Sequence, residues 1–223
     1  MSNKRQLVYN ILNLMSAGRL SDDSLPNYAQ ISFIIDYKRA QYIRQDNAKN
    51  YFDSDLFYQP LGCINLEKAD KADCCDIELG CDILRTTIAI PTPLRLKQKL
   101  AIKVYAVDAQ TRFEVVLPER SNFLSYSKYP SLTKRVYWLP DGYLYLPETL
   151  ELTAIKVFEI LESPSAASTF VCSGGSCYTD DSNYPCPADM IDLITKDILN
   201  TELKALVTIA PDETNNYQHD VQS

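Results

Sequence analysis

The sequence predicts an α+β fold: an N-terminal helical hairpin and a C-terminal helix with a central antiparallel β domain. Three observations carry this reading. Apolar residues recur at three- and four-residue steps near both ends of the chain. From about residue 56 to residue 161 the period falls to two, with turn residues between the runs. No apolar run approaches the length of a membrane span, so the helices must bury their apolar faces against the β middle and each other. The organisation follows as a helical hairpin over 1–55, a β-rich domain over 56–162, a long surface loop over 163–186, a C-terminal helix over 187–209 packing on the N-terminal helices, and an extended tail over 210–223.

The first helix is predicted over 4–17, with Leu7, Ile11 and Leu14 in line, Val8, Leu12 and Met15 widening the stripe, and Gly18 as its stop. The second is predicted over 24–50. Ser24 serves as its N-cap and Pro26 sits in the first turn, where a missing N–H costs nothing. Tyr28, Ile31, Ile35, Arg39 and Tyr42 share one face of it, while Lys38, Arg44, Gln45 and Lys49 lie off that stripe. Two readings of the cations follow: a solvated charged face, or Lys38, Arg39 and Arg44 docking on an acidic partner. Arg39, on the mostly apolar stripe, is the one best placed for an internal partner.

Strands are predicted over 58–66, 84–90, 99–108, 111–117, 135–139, 143–146 and 152–161. Pro140-Asp141-Gly142 is a turn with a mechanism, because proline presets φ and glycine accepts a positive one. Residues 162–185 are rich in Ser, Gly and Asp and read as a surface loop. A last helix, over 188–206, has Met190, Leu193, Ile194, Ile198 and Leu203 on one face, with Asp189 favourably placed at the positive end of its dipole.

A net charge of −7 argues against a general nucleic-acid binder. Its distribution is uneven. Residues 1–50 carry seven Lys/Arg against four Asp/Glu, 51–82 two against eight, 83–162 eleven against eight, and 163–223 two against nine. Such blocks suit a head-to-tail contact between copies, and they equally suit neutralisation inside one subunit. The seven cysteines, an odd number with no export signal ahead of them, predict reduced thiols in a cytoplasm. Zinc would need Cys172 and Cys177 as two ligands, but no paired CxxC supports it. No cofactor or metal is expected.

Catalysis has little to draw on. His219 is the only histidine and lies in the polar tail; Ser173-Gly174-Gly175-Ser176 lacks the Lys-Ser/Thr of a phosphate loop; the carboxylates of 67–82 fit no EF-hand. Fifteen tyrosines favour contact surfaces.

Several fragments, in order along most of the chain, resemble a structural protein of crAss-like tailed bacteriophages. They are Arg19-x-Ser21-Asp22-Asp23, Ile34 through Ile43-Arg44-Gln45-Asp46, Gln59-x-Leu61-Gly62-Cys63-Ile64, Glu67, Asp70, Cys74-Cys75, Cys81-x2-Leu84-Arg85-Thr86, Ile90-Pro91 and Tyr184-Pro185-x-Pro187-Ala188-Asp189-Met190. The resemblance implies a virion protein similar in role to head-to-tail adaptors and neck rings, a dodecamer between portal and tail that guides DNA through an axial channel. It implies the portal and other neck or tail ring proteins as partners, indirect contact with packaged DNA, no membrane, and assembly in the host cytoplasm. Gln45 stands where a second arginine after Arg44 is expected, which weakens a charge-based carry-over. Within this reading Lys38, Arg39, Arg44, Asp180, Asp181, Asp212, Glu213 and Tyr217 are the expected oligomer or partner contacts, with the loop and the tail ordering only against neighbours. The other classes are a small intracellular hydrolase or metal-dependent accessory enzyme, and a monomeric binding module.

Overall fold

The structure, a computed structural model, describes residues 2–15, 27–50, 54–69, 83–97, 99–108, 110–116, 135–138, 141–147, 152–172 and 175–202. Helix α1 is Lys4–Met15 and α2 is Tyr28–Asn50. The strands are β1 Gln59–Lys68, β2 Ile83–Thr86, β3 Arg95–Leu96, β4 Lys99–Leu100, β5 Ile102–Ala106, β6 Arg112–Val116, β7 Arg135–Trp138, β8 Leu144–Pro147, β9 Ala154–Glu159, β10 Val171–Cys172 and β11 Gly175–Ser176. Helix α3, Ala188–Asn200, follows. The fold is α+β, with helices at both ends and a central sheet.

Both N-terminal helices start on a reciprocal cap. Asn27 Oδ1 accepts from the Gln30 N–H at 2.8 Å while Gln30 Oε1 accepts from the Asn27 N–H at 3.0 Å. Asn3 and Gln6 repeat the exchange ahead of α1. Each satisfies two backbone donors that a helix start leaves open. The expected cap Ser24 and the residues Pro26 and Gly18 lie outside the described residues.

The sheet closes into a barrel in the order β1-β2-β8-β7-β6-β5-β9. Every neighbouring pair is antiparallel except β6 and β7, which run parallel with Val115 opposite Val136. Alternation along each strand sends Leu61, Ile64, Val104, Leu144, Leu146, Ile155 and Val157 inward, and all are buried. On β1 the register shifts between Pro60 and Cys63, and Gly62 takes φ +77° there. A Cβ on Gly62 would stand 2.4 Å from the Val171 carbonyl oxygen, so only glycine lets the β10–β11 hairpin lie against β1.

The helices form a second apolar cluster, made of Leu7, Val8 and Ile11 of α1, Ile31, Ile35 and Ile43 of α2, and Met190, Ile191, Ile194 and Ile198 of α3. It continues into Phe57, Leu94, Ala101 and Ile160 on the barrel side. Each such fully buried side chain contributes about 1.5–3 kcal/mol. Two residues expected on the inner stripes, Leu14 and Leu193, are exposed instead, and Ile191 fills the inner position on α3.

The segment 163–186, expected as a surface loop, is packed. It forms a 3-10 helix over Pro164–Thr169 and the β10–β11 hairpin, and it buries Ala167, Phe170, Tyr178, Tyr184 and Cys186. Phe170, Tyr178 and Tyr184 are spaced so that each reaches a core, which outweighs a polar composition. The expected reduced thiols are corrected in one place: Cys172 and Cys177 form a disulfide, their Cα atoms brought to 4.8 Å by the hairpin. Cys63 is an exposed free thiol and Cys186 a buried one.

Candidate functional site: a polar hub under the second helix

At the junction of helices and barrel, Arg39 is fully buried on the inner face of α2. Its Nε donates to the Pro185 carbonyl at 2.8 Å, Nη1 to the Leu161 carbonyl at 2.8 Å and Nη2 to the Phe57 carbonyl at 3.1 Å. One guanidinium therefore ties α2 to the segments before β1, after β9 and before α3. A buried cation is tolerable only when its donors are used in this way.

One turn back, Asp36 collects the Lys4 ammonium at 2.8 Å, the Ser163 hydroxyl at 2.7 Å and the Tyr184 hydroxyl at 3.0 Å. Burial, with Asp36 alongside, pushes the Tyr184 phenol well above its usual range, so it stays a neutral donor. Lys38 faces α3 and pairs with Asp197 at 3.0 Å and Glu202 at 3.1 Å. Burial works against its charge, but these two partners outweigh that and hold the ammonium above its ordinary pKa. Arg44 pairs with Glu162. Asp180 accepts from the Tyr28 hydroxyl at 3.1 Å, and burial, with this bond beside it, raises that phenol to about 12. Asp181 meets Arg5 at 3.3 Å in an exposed pair.

All five of the expected contact residues among the described ones thus have partners within the chain. Arg39 presents no charge to a neighbour at all. Asp212, Glu213 and Tyr217 lie outside the described residues. The partners of the cations sit far away in sequence, so nothing local in the sequence announces them; Asp36 and Tyr184 were missed for the same reason.

A second buried group stands apart. Glu159 alternates with Ile155 and Val157 and so faces the barrel interior, opposite Gln59 of β1 and Ile102 of β5 in the sheet register. Neither of its carboxyl oxygens, nor Gln59 Oε1, finds a hydrogen-bond partner among the described residues. Burial pushes its carboxyl well above the usual carboxylate range. Among the described residues no group of three His, Cys, Asp or Glu is placed to hold a metal ion. The hub's chemistry is that of a fastener, with Arg39 and Asp36 each holding three partners from separate segments.

The family model described as phage tail ring protein 2, of the crAss-like phages, matches residues 6–221. The chain belongs to that family. No curated protein matches it. As a tail ring protein it is a component of a phage virion and assembles as an oligomeric ring, and such a structural family points to scaffolding rather than catalysis. No helix among the described residues of this ring protein is long and apolar enough to cross a membrane.

Proposed function

We propose that the ring protein is a head-to-tail adaptor: a dodecameric ring in the phage neck, stacked between the portal and the tail, surrounding the path of DNA during ejection. The match over 6–221 carries this reading, because it spans both the helical layer and the barrel rather than one detachable module. The hub supports it. A ring under load needs subunits whose layers do not slide, and Arg39 and Asp36 pin the helices to the barrel from within.

The portal and other neck or tail ring proteins are the proposed partners, with indirect contact to packaged DNA and assembly in the host cytoplasm. Of the expected contact residues, Asp212, Glu213 and Tyr217 in the tail are proposed to reach a neighbour. Lys38 and Arg39 are buried with partners inside the subunit, while Arg44, Asp180 and Asp181 are proposed to join the tail residues at the contact. Native mass spectrometry of the purified protein and symmetry-averaged imaging of the assembled neck test the reading. A twelve-fold ring next to the portal is expected; a two-fold dimer, or a ring elsewhere in the tail, overturns it.

A further inference from the structure

The inner face of α2 is accounted for by the core and the hub; its outer face is not. Along that face Gln30, Phe33, Tyr37 and Gln41 follow at steps of three, four and four, without a charge for three turns. Phe33 is 70% exposed and Tyr37 56%, and their rings stack at 6.4 Å. A helix that carries large apolar groups on both faces is built to be covered on both.

A second uncharged surface lies elsewhere on the same chain. Residues 163–179 contain no charged side chain. Within them the hairpin of β10 and β11, held by the Cys172–Cys177 disulfide and seated on Gly62, holds out Val171 with 77% of its surface exposed. Val171 is thus a small apolar projection.

We infer that the Phe33–Tyr37 face of one copy of this chain receives the Val171 hairpin of the next copy in the ring. This rests on the ring reading and names its contact. The ring supplies the occupant, since it brings copies of one chain together, and two uncharged patches can meet without opposing the −7 that each copy carries. Two different patches on one chain are what a head-to-tail contact requires, and such a contact closes into a ring when its rotation permits. Aromatic anchors in an uncharged centre match the make-up of interface cores. Two aromatic side chains supply about 150–250 Å² each, against roughly 800 Å² per partner in a stable interface, so they are its anchor and not its whole extent.

The test uses the full chain. Phe33→Asp and Val171→Lys should each leave the melting temperature of the subunit unchanged, because both positions are exposed, and each should raise the concentration needed for ring formation by about thirtyfold. The double variant Phe33→Asp with Val171→Lys restores an opposite-charge contact and should recover most of that loss. Phe33→Asp mixed one-to-one with Val171→Asp should give heterodimers and no rings, since each variant keeps one sound patch. Rings formed by either single variant at the wild-type concentration overturn the inference and leave the ring reading standing. So do variant rings that form normally but fail to join the neck, which would assign the face to another neck protein. Wild-type chains that form no ring, alone or in averaged tails, defeat the ring reading and this contact with it.

Discussion

The guanidinium of Arg39 lies 5.9 Å from the centre of the Tyr184 ring, and the hydroxyl of that tyrosine donates to Asp36. The cation and the carboxylate of α2 are thus both read by one residue of the segment that leads into α3. Removing each group should cost in proportion to what it leaves unpaired. Tyr184→Phe loses one hydrogen bond to a charged acceptor, about 1.5–3 kcal/mol. Arg39→Met strands three carbonyls and should cost about 3–5 kcal/mol. Urea unfolding of both variants checks the order; an Arg39→Met chain as stable as the wild type would remove the hub from any account of the fold.

Glu159 makes stability depend on pH with a definite sign. Its folded pKa is raised by burial above the unfolded value of about 4.3, so its favourable contribution is full below that value. It is lost as pH rises, until the folded-state pKa is passed. Each tenfold by which folding weakens the acid costs about 1.4 kcal/mol at high pH. Glu159→Gln, neutral at every pH, should match the wild type near pH 4 and exceed it at pH 8. Denaturation midpoints across that range decide it, and parallel curves for the two proteins would contradict the burial argument.

Reduction should cost little. The Cys172–Cys177 bond closes a loop of a few residues, worth about 2 kcal/mol in a chain-entropy account, and the loop is also anchored by buried Phe170 and Tyr178 on either side of it. Cys172→Ser with Cys177→Ser should lower the melting temperature by several degrees and keep the circular dichroism spectrum. Loss of the folded spectrum would show that the hairpin depends on the bond.

Deletion of residues 211–223 separates docking from folding. If the tail serves a neighbour, the truncated subunit melts as the full chain does and enters particles poorly. A large fall in the melting temperature would assign the tail to the core, and normal incorporation would show that it docks nothing.

Much of the fold is legible because periodicity reports which face is buried. Ile31, Ile35 and Ile198 follow from spacing alone. Closure into a barrel is not legible, since alternation orients a strand without naming its neighbour. The parallel pairing of β6 with β7 has no local signal either. Composition misled over 163–186: small polar residues set its average, while Phe170, Tyr178 and Tyr184 set its position. Arg39 stands out in the sequence by its place on an apolar stripe, but its acceptors at 57, 161 and 185 are backbone groups that no side-chain pattern reveals. The Phe33–Tyr37 pair gives no signal in the sequence until the opposite face of α2 is known to be buried.

The barrel's seam also sets a timetable for synthesis. Strand β1 pairs with β9, some ninety residues later, and Arg39 receives its last acceptor only when Pro185 has been made. Neither the first helices nor the first strand can complete their contacts on a growing chain. The nascent protein therefore cannot finish folding before residue 185 has left the ribosome. Its long-range pairings make that step slow, and they leave its apolar helices in need of protection until then.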